Sequence, residues 1–359
     1  MPASLPITRP LRLAVVGAGQ ISELVLPAYL GRDDIEVVGV CDKDPERLTR
    51  WAGAIPHGLM TTDLSEVLAA DPDVVDVLVP TPNHADVVTT VLDAGFHVQV
   101  QKPFARDLEG ADRMLEAAER AGASLSILED YLCYPPLQRL AEVVASGEIG
   151  EPVGLHMKIV ATGRGGWDVA PSSYEWQFSQ AQDGRGMLVF DHGWHQLAVA
   201  ISLFGPVRRI FGWIGRTEVV PGIVMDAPST LVWEHVGGER AVLDISFALD
   251  MYFRSTHYTG DERVEVTGSR GFVRCNRISA CGIQEPSVVV YRDGETRAFH
   301  DLDDAPPDAF AAMAAQTASF FRGERPDPVM DGVQGRAVLE ALLAALESAR
   351  SGAPVDVAG

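Results

Sequence analysis

Lysine is scarce in this chain. Of 29 basic residues among 359, only three are lysine, at positions 43, 102 and 158, and the other 26 are arginine. Basic charge as a whole is also short, because 50 acidic residues leave a net charge of −21. A chain so poor in positive charge is not built to hold a polyanion, so nucleic acid is not an expected partner and an anionic membrane surface is disfavoured. No apolar run approaches the ~20 residues that span a bilayer, so no membrane partner is expected. The start, "MPASLPITRPLRLAVVG", lacks a charged head followed by a long apolar stretch and a cleavage site, and a cytoplasmic location is expected. Cysteine is sparse too. Cys41, Cys133, Cys275 and Cys281 are scattered with no C-x-x-C pair, which argues against a zinc cluster and for reduced thiols. Cys275 and Cys281 are close enough to meet across a hairpin, but nothing requires it.

What is present is a globular composition, 47% hydrophobic and 22% charged. The length exceeds one ordinary core, so two domains are expected, with the boundary near residue 130. Residues 1–130 alternate strand and helix. "LRLAVVG" (11–17), "IEVVGVCD" (35–42), "VVDVLVP" (74–80), "HVQV" (97–100) and "LSIL" (125–128) are apolar runs of the kind found in buried parallel strands. Helical patterns intervene, ending near Leu30, opening at Pro45, and covering about 84–94 and 107–121. This implies an α/β domain with a doubly wound parallel sheet, a Rossmann fold. Residues 131–359 read differently. "EPVGLHMKIVAT", "VRRIFGWIGR", "STLVWEHV", "RAVLDISFAL", "RVEVTG", "GFVRCN" and "SVVVYR" alternate as strands, several joined by short turns such as "GGER" and "RDGE". Helices are expected at 190–204, 308–322 and 332–350, giving an α+β domain on a large, open, mostly antiparallel sheet.

"VVGAGQIS" follows the first strand and opens the first helix. Gly17 and Gly19 match the first two glycines of G-x-G-x-x-G, and Ser22 stands at the third position. Gly17 makes the tight turn, Gly19 lets backbone approach a pyrophosphate, and the helix start at Gln20 and Ile21 offers N–H groups and a positive dipole end. Asp42 ends the second strand, where a carboxylate accepts hydrogen bonds from the adenosine ribose. An acid there repels a 2′-phosphate, so NAD is expected over NADP, with Lys43 and Arg47 near enough to soften the preference.

With "VLVPTPNHADVV" (77–88), "AGFHVQVQKPFA" (94–105), "SGEIGEPV" (146–153) and "DHGWH" (191–195), the chain resembles the glucose-fructose oxidoreductase / inositol dehydrogenase / rhizopine-catabolism (Gfo/Idh/MocA) family along nearly its whole length. The resemblance implies a Rossmann domain followed by an α+β domain whose open sheet mediates oligomerisation, here a homodimer or homotetramer. It also implies an NAD(P)-dependent oxidoreductase acting on sugars, glycosides, inositols or related polyols. Thr81, Pro82, Asn83, His84, Gln101 and Lys102 are then expected beside the cofactor. The family's Glu-Lys-Pro is Gln101-Lys102-Pro103 here, and His84 arrives two residues early.

Oxidising an alcohol requires a base for the hydroxyl proton and a group that steadies the developing alkoxide. Lys102 ends a parallel strand, where ligands of open α/β sheets bind, and a lysine can be tuned by its surroundings whereas an arginine cannot. Asp191 and His195 are four apart in a helical pattern and so expected on one face. The resemblance assigns His195 as general acid/base and Asp191 as an orienting group. His192 is a rival base or a hydroxyl-binding residue. Tyr131, Trp167 and Trp176 are further candidates for the substrate. A metal held by Asp191, His192 and His195 is not expected, because no second ligand cluster is evident. Two alternatives stay open: an NAD-dependent glycoside hydrolase on the same fold, and a non-catalytic nucleotide-sensing regulatory protein.

Overall fold

The computed structural model describes residues 7–166, 185–255, 257–258, 260–276 and 285–357. The chain forms two compact units. The first ends at Asp130 and takes in Phe310–Leu339, and the second comprises Tyr131–Ala309 and Glu340–Gly359. A single cut at residue 130 therefore does not describe the division, since the chain returns to the first unit late in its course.

The first unit follows the expected alternation: β1 (Leu11–Val16), α1 (Ser22–Leu30), β2 (Ile35–Cys41), α2 (Pro45–Ala52), β3 (Leu59–Thr61), α3 (Leu64–Ala69), β4 (Val74–Val77), α4 (His84–Asp93), β5 (His97–Gln101), α5 (Leu108–Ala121) and β6 (Leu125–Leu128). β3 and α3, of three and six residues, are too short to have announced themselves. Every pairing is parallel and the order is β3-β2-β1-β4-β5-β6, the arrangement of a dinucleotide-binding sheet. Helix starts are chemically marked. The Asp44 side chain accepts from the Glu46 amide ahead of Pro45, and Asp107 accepts from the Gly110 amide.

The returning segment is tied in by a buried polar chain. Thr317 donates to Gln99 Oε1 at 2.8 Å, Gln99 donates to the Tyr29 hydroxyl at 2.8 Å, and Tyr29 donates to Asp76 Oδ2 at 2.7 Å. Asp76 is fully enclosed in β4, and its Oδ1 accepts no hydrogen bond from the described residues. Burial pushes the Asp76 carboxyl up to about 7 against the pull of Tyr29 and Gln99.

The second unit contains α6 (Pro135–Ala145), β7 (Pro152–Gly165), α7 (Gly193–Phe204), β8 (Val207–Ile214), β9 (Thr217–Val220), β10 (Ile223–Met225), β11 (Ser229–His235), β12 (Arg240–Phe253), β13 (Gly260–Gly268), β14 (Gly271–Asn276), β15 (Val288–Arg292) and β16 (Glu295–Phe299). α8 (Pro306–Phe321) and α9 (Gly332–Ser351) follow, and β17 (Val355–Asp356) closes the described chain. Nine described strands form one sheet in the order β16-β15-β14-β13-β7-β12-β11-β8-β17, and β9 pairs with β10 apart from it. β7 and β12 run parallel and the other neighbours antiparallel. Residues alternate across the sheet. Leu231 and Trp233 face inward on β11, while Phe211 and Trp213 take the outward phase of β8. α7 packs closely on Leu243 of β12, near Gly193.

Candidate active site

In the first unit the expected cofactor residues gather at the carboxyl ends of β1, β2, β4 and β5. Gly17 adopts φ +109°, and a Cβ there would lie 2.7 Å from the Leu78 carbonyl carbon and 2.8 Å from the Val79 nitrogen. Only glycine fits both the dihedral and the space. At Gly19 the nearest atom to an added Cβ is Arg47 Nη1 at 3.7 Å, so its backbone stays approachable. Ser22, at the third fingerprint position, is buried and donates to the Gly19 carbonyl at 2.6 Å, closing the turn with a hydroxyl where a small apolar residue is usual. Asp42 holds the same turn, its two oxygens accepting from the Ala18 amide at 2.7 Å and the Asp44 amide at 2.9 Å. Arg47 stands 3.9 Å from the Asp42 carboxylate. The turn thus fits a pyrophosphate and its ribose: small residues where backbone must approach, an anchored acid beside them, and a helix start behind.

Thr81–Asn83 form one tight turn after β4, and His84 opens α4. The His84 ring is fully enclosed, with Nε2 2.8 Å from the Val79 carbonyl and Nδ1 3.1 Å from the Phe104 carbonyl. Burial pushes its pKa down, leaving a neutral ring with one N–H to donate. His84 therefore braces the loops after β4 and β5. Its single N–H donates to one of these two carbonyls, and both ring nitrogens face backbone at the place where a cofactor contact was expected. Gln101 is buried and its Oε1 accepts from the Lys102 amide at 2.7 Å. Lys102 is half-buried at the end of β5, and the peptide joining it to Pro103 is cis.

In the second unit, Met187–His192 form a wide helical turn, with the Asp191 amide bonded to the Gly186 carbonyl five residues back. α7 begins only at Gly193. The expected helix at 190–204 is thus split, and the four-residue spacing of Asp191 and His195 does not by itself put them on one face. Asp226 supplies the missing cap, its carboxylate accepting from the Leu188 amide at 2.9 Å and the Val189 amide at 2.6 Å. Burial lifts the Asp226 carboxyl above the usual range, and the two N–H bonds only partly offset it.

Tyr131, His192 and His195 come together around a residue absent from the expectations, Glu262 of β13. Glu262 Oε1 takes the Tyr131 hydroxyl at 2.9 Å and His192 Nε2 at 2.6 Å, and Oε2 takes Gln196 Nε2 at 2.5 Å. The Tyr131 ring stacks on His195 with centroids 3.9 Å apart and planes at 11°. His192 lies edge-on to His195 at 5.7 Å. Burial raises the Glu262 carboxyl, but attraction to His192 and the hydrogen bonds from His192 and Tyr131 outweigh it, so its pKa lies below the ordinary glutamate range.

Two family models match this chain. Residues 11–128 match an oxidoreductase family with an NAD-binding Rossmann fold, and residues 137–274 match the GFO/IDH/MocA C-terminal domain. The chain belongs to the Gfo/Idh/MocA family. A D-apiose dehydrogenase from Paraburkholderia graminis is 31% identical over 262 residues, 73% of this chain and 66% of the relative. Another, from Rhizobium rhizogenes, is 24% identical across 97% of both chains. A crystal structure of an oxidoreductase from Agrobacterium radiobacter in complex with NAD+, L-tartaric acid and magnesium shares the fold, with a TM-score of 0.81 at 22% identity over 97% of this chain and 98% of that one. The cofactor of this Gfo/Idh/MocA chain is NAD, and the glycine turn is built to take it.

Lys102 belongs to the first unit, and Tyr131, Asp191, His192 and His195 to the second. Trp167 and Trp176 lie outside the described residues, as does Cys281. Cys41, Cys133 and Cys275 are buried packing residues. Two residues that hold this arrangement together, Glu262 and Asp226, escaped the sequence reading. Glu262 carried a usable signal, since extending the inward phase of Val264 and Val266 back by two puts it on the covered face of β13. Asp226 carried none, because its partners lie nearly forty residues away.

Proposed function

We propose that the chain is a dehydrogenase that moves a hydride between NAD and a CH–OH carbon of a sugar, glycoside, inositol or related polyol. One observation carries this reading: the anchored Gly17 turn, Asp42 beside it and Lys102 at the end of β5 share one edge of a parallel sheet. The match to D-apiose dehydrogenases supports a sugar-like substrate. Gly17, Gly19, Gln20, Ile21 and Asp42 hold the pyrophosphate and ribose, with Thr81, Pro82, Asn83 and Gln101 lining the same edge and Lys43 beside the ribose. The nicotinamide, when bound, accepts or returns the hydride. Lys102 donates a hydrogen bond to the reacting oxygen and steadies the alkoxide. His195 takes the hydroxyl proton, and Asp191 orients the substrate. Tyr131 and His192 line the substrate side.

The same reading includes a cytoplasmic location, where the nicotinamide pool turns over, and a homodimer or homotetramer through the nine-stranded sheet. The sheet's strands leave Trp213 66% and Tyr252 64% exposed, which supports such pairing. Among the described residues no helix is long and apolar enough to cross a membrane.

The test begins by checking purified protein for copurified nucleotide, then titrating NADH and NADPH against protein fluorescence. Preference for NADH is expected, followed by turnover on a panel of myo-inositol, D-apiose and methyl glucosides that Lys102→Ala abolishes. Empty, folded protein that binds neither nucleotide would overturn the reading. Sugar release from the glucosides without net NADH would convert it to glycoside hydrolysis.

A further inference from the structure

Glu262 is only 1% exposed, and a buried carboxylate is stable only when its oxygens are bonded. Its three partners come from separate places in the second unit. Tyr131 stands ahead of α6, His192 closes the wide turn, Gln196 lies in the first turn of α7, and the glutamate itself is on β13. A strand whose inward phase otherwise carries Val264 and Val266 has no packing need for an acid. Apolar residues would fill the same volume at lower cost in desolvation.

The bonds have geometric consequences for both histidines. With Oε1 an acceptor only, a proton on His192 must sit on Nε2 and point at it, which sets both the tautomer and the ring rotamer. Tyr131 is pinned through its hydroxyl to the same oxygen, and its ring lies flat on His195. Gln196, the residue after His195, is tied to the other oxygen. One carboxylate thus reaches His192 directly and His195 from both sides in the chain.

We propose that Glu262 is a positioning residue, fixing the proton and orientation of His192 and, through Tyr131 and Gln196, the plane of His195. Its effect on turnover rests on the dehydrogenase reading, whereas its effect on the imidazoles rests on this geometry alone. Tyr131, His192 and His195 are the titratable groups that face Glu262 in this arrangement.

Glu262→Gln keeps the size of the side chain but replaces one acceptor oxygen by an N–H donor facing donors. Full-length protein labelled with 15N in its imidazoles reports the tautomer of each ring, with the His192 signal identified by its loss in His192→Gln. In the wild type the His192 proton is expected on Nε2. In Glu262→Gln the His192 signals shift away from that tautomer, kcat on the best panel substrate falls on the order of 10²-fold, and NADH affinity stays within about twofold. A folded Glu262→Gln protein with unchanged ring signals, or with kcat within about twofold of the wild type, would overturn the proposal. So would a wild-type His192 whose Nε2 carries no proton. If Glu262→Gln does not fold, Tyr131→Phe takes its place, because it keeps the ring and removes one bond. A shifted His195 signal is then expected, and an unshifted one overturns the role. If wild-type protein turns over nothing on the panel, the dehydrogenase reading fails while the ring signals still decide the role of Glu262.

Discussion

Replacing Asp76 by asparagine should make the first unit more stable at neutral pH, by an amount that grows as pH rises. Asp76 is fully enclosed, and burial holds its folded pKa at about 7 against an ordinary value of 3.8. The native state therefore binds a proton that the unfolded chain has already lost between those values. Its stabilising contribution is complete at pH below 4 and lost as pH climbs through the window, leaving the native state about 4 kcal/mol worse off above pH 7. Asparagine mimics the neutral carboxyl and does not titrate. The advantage of Asp76→Asn over wild type should then rise by about 1.4 kcal/mol per pH unit between about pH 4 and 7 and level off above. The asparagine amide would sit where Oδ1 has no partner among the described residues, a constant cost of about 1–3 kcal/mol that moves the offset and not the slope. Hydrogen exchange at the β4 and β5 amides reads this unit alone, once corrected for the intrinsic pH dependence of exchange. The ratio of protection factors, variant over wild type, should grow roughly tenfold per pH unit across the window. A ratio independent of pH, or one that grows toward acid, would refute the reasoning, because every other titrating group is common to both proteins.

Three further outcomes are expected. Gly17→Ala drives a Cβ into the Leu78–Val79 backbone at a positive φ, so NADH binding should be lost in a fluorescence titration and the melting temperature lowered, at a cost of about 1–3 kcal/mol. Gly186→Ala puts a methyl group into the Asp226 carboxylate, displacing the cap of the wide turn. Turnover should fall while NADH affinity, a property of the other unit, is retained. Lys102→Ala should lower kcat by about 10²–10⁴-fold with NADH binding intact, and unchanged turnover would remove the lysine from the chemistry.

Local physics was sufficient for most strands and helices of the first unit. Apolar runs bounded by glycine, the helix opening at Pro45, and the Gly17–Gly19 turn with Asp42 at the end of the next strand each follow from short stretches of sequence, and the structure places them as expected. The strands of the second unit were legible for the same reason, since alternation is a property of one strand. His84 shows the limit. A histidine at the edge of a ligand-binding sheet looks the same in sequence whether it faces a cofactor or the Val79 and Phe104 carbonyls, and only packing tells which.

The chain order alone therefore determined the fold class, the nucleotide turn and the identity of the lysine and histidines that carry the proposed chemistry. Tertiary structure decided what holds them. It brought Phe310–Leu339 back to the first unit through Thr317 and Gln99, it capped the turn before His195 with Asp226, and it set Glu262 against Tyr131, His192 and Gln196. These are contacts between groups dozens to hundreds of residues apart. Their energy comes from satisfying buried polar groups, which no residue can do for itself, so the partner is fixed only when the chain has folded.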